Sequence, residues 1–333
     1  MIQSVTDRPS TRPRAIATRN RFAPLALLMM TMIAGCRSEA VDVSNSARVG
    51  SSPMSADESR SVEHGVPVAI ASAREFAAQI GRRRGGWDFV PQETVPDRMG
   101  IPEWEFDRRF RSDAFRFVRV KFDSLGRRGP NGLWFTDYPD SDLNFSFRLK
   151  QLTTMDVDPD PLWLDITDPR LFEYPFLYMI EPGFIRLDDD EVAALRAYFD
   201  RGGFMMVDDF WGEYEWQNFH AEMSRVFPDR EPLDLPFEHP IFHLVYDLPF
   251  KPQVPSIHNW ERTGLTYERE DATEVHYRAY FDDNGRMVMI ICHNTDLGDG
   301  WEREGESREY FETFSERLAY PMGINIVVYA MTH

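Results

Sequence analysis

The sequence predicts an α/β fold with a mainly parallel sheet between helices, and three consecutive segments carry this prediction. RLDDDEVAALRAYFDRGG (186–203) has Asp188 or Asp189 as helix N-cap, apolar residues on one face and two terminal glycines. FMMVDDF (204–210) follows as a continuous apolar run, typical of a centrally buried parallel strand. A second helix pattern, 213–228, ends at a proline. This alternation of helix and strand favours a doubly wound sheet.

The remaining elements extend the same fold. Strand-like apolar segments occupy residues 114–124, 161–167 and 174–182, whereas apolar residues at helical spacing occupy 143–155 and 307–331. FDDNGRM places Asn284 and Gly285 between two apolar runs, which predicts a two-residue hairpin near the C-terminus. We therefore expect one α/β domain over residues 114–333, preceded by an irregular extension at 66–113.

The N-terminus carries the signature of an export signal. Several arginines precede the short apolar run FAPLALLMMTMIAG, and the small residues before Cys36 resemble a bacterial lipobox. The resemblance implies that residues 1–35 are a signal peptide and that Cys36 carries lipid. Residues 36–65 are polar and lack aromatic side chains, so they predict a disordered tether. We expect a lipid-anchored protein on the periplasmic side of the cell envelope, in the outer rather than the inner membrane.

Composition excludes one class of partner. The chain has 333 residues, with 37 basic and 55 acidic side chains and a formal charge of −18. Nucleic-acid binding requires a clustered basic face, so we predict no nucleic-acid partner. If Cys36 carries lipid, Cys292 is the remaining cysteine and no intrachain disulfide forms.

Six long motifs lie within about residues 114–333: FTDYPDSDLNFSFRL, YPFLYMIEPGFIRL, RGGFMMVDDFWG, VFPDREP, HPIFHLVYDL and ICHNTDLGDGWE. Together they resemble a bacterial domain-of-unknown-function family, the one numbered 4159. The family is grouped with class I glutamine amidotransferase-like domains, which implies a three-layer α/β/α sandwich and no established activity. In such enzymes a cysteine follows a buried strand, but here Asp208, Asp209 and Phe210 occupy that turn. Amidotransferase activity is therefore not expected.

Asp208 and Asp209 are the first candidate site residues, because ligands of open α/β sheets bind beyond the carboxyl ends of the strands. Glu181 ends a second strand, and His293 ends a third. If these strands are parallel neighbours, Glu181, Asp209 and His293 meet at one edge of the sheet. The alternative interpretation is that Asp209 caps the helix that follows it.

The stretch IICHNTDLGDGW (290–301) offers further candidates. Cys292 and His293 are adjacent on a strand, so their side chains should point to opposite faces and not form a nucleophile–base pair. His293 could instead join Asp296 and Asp299 as ligands, or those acids could be solvated on a turn around two glycines. Trp211 and Trp301 are candidate ligand-binding aromatic residues beside the acids, although most tryptophans belong to the core.

A second acidic segment, TDYPDSDLN, contains Asp137, Asp140 and Asp142. Closely spaced carboxylates can ligate a divalent cation, but the segment lacks a complete calcium-loop pattern. The alternative is a turn in which Asp142 caps the next helix. The sequence thus predicts no specific cofactor, while a divalent cation stays open.

Two hypotheses about function follow. The first is a non-catalytic binding or scaffold module whose acidic rim binds a cell-envelope protein or glycan. The second is a hydrolase, metal-assisted or not, that uses Asp208 or Asp209 with His293. The missing elbow cysteine favours the first hypothesis.

Overall fold

The computed structural model describes residues 98, 100–125 and 132–333. The predicted signal peptide, Cys36 and the predicted tether lie outside these residues, as does most of the extension at 66–113. In the described part of the chain, no helix is both long and apolar enough to span a bilayer.

One mixed sheet of seven strands forms the centre of the fold, in the order β3-β1-β4-β6-β9-β8-β7. Its strands are β1 (Val118–Lys121), β3 (Leu162–Asp165), β4 (Phe176–Ile180), β6 (Phe204–Asp208), β7 (Leu233–Asp234), β8 (His276–Phe281) and β9 (Met287–His293). The first five strands in that order are parallel, whereas β8 runs antiparallel to β9 and β7 antiparallel to β8. Two short strands, β2 (Asp123–Ser124) and β5 (Ile185–Arg186), pair separately.

Helices cover both faces of the sheet. They are α1 (Asp140–Leu152), α2 (Asp189–Asp200), α3 (Gly212–Val226), α4 (Ile257–Thr263) and α5 (Leu297–Glu302). A last helical stretch, α6, consists of a turn at Arg308–Tyr310, a π-helix at Phe311–Ala319 and an α-helix at Tyr320–Thr332. The predicted three-layer α/β/α sandwich with a mainly parallel sheet is confirmed.

Side chains along the central strands point alternately to the two faces of the sheet, so the hydrophobic core consists of two clusters, one on each face. In β6, Phe204 and Met206 pack with α1, α5 and α6, whereas Met205 and Val207 pack with α2 and α3. Both faces of the strand are therefore buried, which explains its continuous apolar sequence.

A predicted helix start and a predicted hairpin are found in the structure. Asp188 is the N-cap of α2 and forms a capping box with Glu191. The predicted hairpin between β8 and β9 forms, but its turn spans Asp282–Gly285, with the Gly285 N–H donating to the Asp282 carbonyl. The loop has three residues instead of the predicted two, because Gly285 has a positive φ of 78° whereas a two-residue turn would need positive φ at Asn284 as well.

The start of α1 differs from the prediction. Pro139 is its N-cap, so Asp142 lies inside the helix rather than capping it. The Asp142 carboxylate is fully buried and pairs with the equally buried Arg119 guanidinium at 2.5 Å. Helix-capping patterns relate only residues that are close in sequence, so they could not predict a partner on another element. Arg119 lies on β1.

Candidate functional site

Four residues with left-handed backbones lie near the carboxyl edge of the sheet. Glu181 follows β4 with φ 48°, Asp209 follows β6 with φ 54°, and Asn294 follows β9 with φ 62°. Asp137, in the loop before α1, has φ 61°. Such conformations are uncommon outside glycine and tend to cluster at functional sites. Since β4, β6 and β9 are parallel neighbours, their C-terminal ends lie at the same edge of the sheet.

Asp209 occupies the turn between β6 and α3. Its carboxylate accepts a hydrogen bond from the Trp211 indole N–H at 3.0 Å. The backbone N–H of Trp211, the N-cap of α3, donates instead to Glu215 at 2.9 Å, so the hypothesis that Asp209 caps this helix is wrong. Burial, followed by the nearby Glu181 and Asp137, raises the pKa of Asp209 well above its usual value.

Asp208 is the last residue of β6 and is fully buried. Its Oδ2 atom accepts from the Tyr178 hydroxyl at 3.2 Å and from the Gly298 N–H at 2.9 Å. Burial raises the pKa of Asp208 to about 7, although these donors act in the opposite direction. Within the described residues its Oδ1 atom has no hydrogen-bond partner.

Three carboxylates from separate positions approach one another beside this pair. One oxygen atom each of Asp137, Asp299 and Glu302 lie within 4.8 Å of one another. Arg303 contacts two of these side chains: its Nε lies close to Glu302 and 3.6 Å from Asp299 Oδ1. Among the residues described, the buried Oδ2 atom of Asp137 has no hydrogen-bond partner. We call Asp137, Asp299 and Glu302 the carboxylate site.

Electrostatics at the carboxylate site disfavour full ionisation. Burial raises the pKa of Glu302 to about 7, with Asp299 adding to the effect. Burial, and then Glu302 and Asp299, raise the pKa of Asp137 well above its usual value. Asp296 also has a pKa raised well above its usual value, by burial and by Asp209. Like charges in a weakly solvated space explain all these shifts.

Helix α5 brings the acids of LGDGWE together. Asp296 is its N-cap, accepting from the Asp299 N–H at 2.7 Å, and both residues are only 4% exposed. The alternative of solvated acids on a glycine turn is therefore wrong. A Cβ atom at Gly298 would lie 2.9 Å from both Asp137 Oδ2 and the Tyr178 hydroxyl, so glycine permits this close approach.

Glu302 was not among the sequence candidates. The signal that could have identified it is the i, i+3 spacing from Asp299, which places both carboxylates on one face once the segment is read as a helix. Two glycines in six residues obscured that helix, because glycine disfavours helix interiors.

The end of β9 separates Cys292 from His293, as predicted. Cys292 packs in the same core as Ile290 and is fully buried, and burial raises the pKa of its thiol well above the usual value. His293 faces the other core and packs against Phe210 and Trp216. Cys292 is therefore a buried thiol without the thiolate character of a nucleophile.

His293 has defined partners for both ring nitrogens. Arg278 donates to Nδ1 at 2.9 Å, so Nε2 carries the proton and donates to the Gly212 carbonyl at 3.1 Å. Burial, and then Arg278, lower the pKa of His293 to about 3. At neutral pH the imidazole is uncharged, and neither nitrogen bonds to a carboxylate of the site.

The other predicted residues lie as follows. Trp301 is fully buried against Phe145, and Trp211 is 4% exposed with its indole bonded to Asp209. Asp140 begins α1, and Asp142 pairs with Arg119, so of the three acids in that segment only Asp137 joins the carboxylate site.

Glu181 accepts a hydrogen bond from the Thr136 hydroxyl at 3.0 Å. Thr136 immediately precedes Asp137, so this contact ties the end of β4 to the loop that carries Asp137. The loop is thereby held against the sheet edge from which Asp209 projects.

Residues 116–331 match the family described as a domain of unknown function, DUF4159. A search of curated proteins found no match. The matched region contains every strand and helix that builds the sheet edge and the carboxylate site. Because the match spans more than half of the sequence, the chain belongs to the DUF4159 family.

Proposed function

We propose that this domain is a cation-dependent binding module, in which Asp137, Asp299 and Glu302 hold a hard divalent cation. The observation that carries the proposal is the approach of one oxygen atom from each residue to within 4.8 Å of the others. Magnesium and calcium prefer carboxylate oxygen ligands, and two or three carboxylates commonly form part of their coordination shells.

The surroundings of the Asp137 carboxylate suit a bound cation. Its buried Oδ2 atom lacks a hydrogen-bond partner among the described residues, and burial together with the surrounding carboxylates raises the pKa of Asp137. A buried acceptor without a donor costs free energy. A bound cation would supply that missing partner and would neutralise charge that Arg303 and Arg119 compensate only in part.

The three carboxylates do not complete the shell of six or more oxygens that calcium takes. The remaining positions would be open to water and to an oxygen-rich ligand. We propose that the ligand is an anionic or hydroxyl-rich component of the cell envelope, such as a glycan, recruited through the cation. This combines the predicted binding role with the resemblance to amidotransferase-like domains, in which Asp208, Asp209 and Phe210 stand at the turn where those enzymes carry a cysteine.

Calorimetric titration of the purified full-length protein with CaCl₂, MgCl₂ and MnCl₂ tests the cation site. We expect one site per chain in the wild type and a loss of about tenfold or more in affinity for Asp137→Asn, since one ionised ligand is removed. Asp189→Asn is the matched control, because its carboxylate is fully exposed. Equal binding by both variants, or no binding by the wild type, would refute the proposal.

A second function, hydrolysis, is favoured by the turn that carries Asp208 and Asp209. Asp209 stands with a left-handed backbone at a strand-to-helix turn, the kind of strained position at which nucleophiles are presented. Two ionisable groups with raised pKa values, Asp208 and Asp209, are adjacent there. Turnover of ester or glycoside substrates that is lost in Asp209→Asn but retained in Asp189→Asn would favour this hypothesis over binding alone.

We also propose export and lipid attachment at Cys36, with the domain facing the periplasm and the outer membrane as destination. The arginines, the short apolar run and the small residues before Cys36 support this proposal. Labelling of cells with a radioactive fatty acid tests it. The wild type should incorporate label and Cys36→Ser should not; equal labelling of the two would refute lipidation at Cys36.

A further inference from the structure

A cavity of about 790 Å³ lies away from the carboxylate site, between α4 and the π-helical part of α6. Small-molecule sites usually occupy about 300–1,000 Å³ and are lined mainly by apolar side chains. The apolar lining here consists of Pro249, Phe250, Trp260, Val275, Phe314 and Leu318. Phe250 is 54% exposed and contributes a solvent-accessible aromatic ring to this lining.

The wall formed by α6 is conformationally unusual. Phe311–Ala319 is a π-helix of nine residues, and it supplies Thr313, Phe314, Arg317 and Leu318 to the lining. Most π-helical segments are single turns, and they occur frequently at functional sites. An extended π-helix that forms one side of a cavity therefore points to a binding role for that side.

Charge at the cavity indicates which ligand it accepts. Lys251 and Arg317 line it together with one acid, Glu274. Lys251 is paired with Asp234 at 2.8 Å, whereas Arg317 has no carboxylate partner in the part of the chain that the structure describes. The Arg317 side chain is exposed, so its guanidinium is accessible to a ligand in the cavity. It can bind a carboxylate in two-point geometry.

We infer that this cavity binds a small amphipathic anion, an apolar body with one carboxylate or sulfonate. The apolar body packs between Trp260 and Phe314, and the anionic group pairs with Arg317. A concave site of this volume accommodates a small molecule, whereas the flat surface of a partner protein would not fill it. The inference does not depend on a cation at the carboxylate site.

Binding of 8-anilinonaphthalene-1-sulfonate to the full-length protein tests the inference, with decanoate and 1-decanol as competitors. We expect saturable fluorescence with one site per chain and displacement by decanoate. Thr313→Trp, at an exposed position in the lining, should weaken binding by about tenfold or more because the indole fills the cavity. No saturable binding, or unchanged binding by Thr313→Trp, would overturn it.

The charge requirement is tested separately, so that the outcome does not depend on the folding of Thr313→Trp. Arg317→Glu should weaken decanoate about tenfold and leave 1-decanol unchanged, since only the anion loses its partner. Arg308→Glu makes the same charge change on an exposed side chain outside the lining and should have no effect. Equal effects of the two charge changes would overturn the inference. Asp137→Asn should bind like the wild type, which separates this cavity from the proposed cation site.

Discussion

The end of β9 and the carboxylate site hold buried polar groups at the same edge of the sheet, yet they differ in their partners. His293 has a donor for one nitrogen and an acceptor for the other, and it is uncharged at neutral pH. In the carboxylate site, Asp137 retains a buried oxygen that meets no donor from the described residues, and three acids repel one another. The comparison teaches that the hydrogen-bond partners, more than the residue type, distinguish a structural polar group from a candidate functional one.

The largest effect on the free energy of unfolding is expected from substitution of His293. His293→Ala should lower the free energy of unfolding by about 3 kcal/mol, because it leaves a cavity and removes partners from Arg278 and the Gly212 carbonyl. His276→Ala, at a half-buried neighbour, is the control and should cost less than about 1 kcal/mol. Urea unfolding measures both. A cost for His293→Ala no larger than the control would remove the contrast with the carboxylate site.

The carboxylate site should respond to cations instead. At a hundredfold excess over the dissociation constant, a cation should stabilise the protein by about 2.7 kcal/mol, or about 5–10 °C in thermal midpoint. The shift in thermal midpoint should be smaller at pH 5 than at pH 8. At pH 5 the Glu302 carboxyl, with a pKa of about 7, holds a proton and cannot bind the cation as a carboxylate. A shift that is equal in Asp137→Asn and the wild type would exclude these ligands.

A change of pH should alter the contributions of the two regions to the free energy of unfolding in opposite directions. The pKa of His293 is about 3 in the folded protein and near 6.5 when unfolded, so the unfolded state binds the extra proton between these values. His293 therefore lowers stability as pH falls below 6.5, by about 1.4 kcal/mol per pH unit. Glu302, in the carboxylate site, has a pKa raised to about 7 and acts in the opposite direction.

The difference between wild type and His293→Gln isolates the histidine contribution, since the carboxyl groups are common to both proteins. Unfolding free energies measured from pH 7 to 4.5 should show the wild type losing stability relative to the variant as pH falls. Parallel curves would mean that His293 titrates normally in the folded state.

The smallest effect is expected for Asp137→Asn in the absence of cations. At pH 8 the substitution should stabilise the protein by about 0.5–1 kcal/mol, because it removes repulsion with Glu302 and Asp299. Asp283→Asn, at an exposed carboxylate, is the matched control and should not stabilise it. Destabilisation by Asp137→Asn would show that the ionised carboxylate supports the fold.

The sequence by itself determined the architecture and part of the site. Apolar runs such as FMMVDDF encode burial on both faces, and the capping box at Asp188 encodes a helix start; both are local signals, so they can be read without a structure. Strand direction then placed Glu181 and Asp209 at one edge, because parallel strands end together.

Only the tertiary structure decided which of the acids meet and which are paired. Asp142 pairs with Arg119, 23 residues away, whereas Asp137 meets Asp299 and Glu302 from the other end of the domain. Likewise, the partners of His293 come from β8 and α3. Such contacts depend on how distant elements pack, and neither spacing nor periodicity along the chain carries that information.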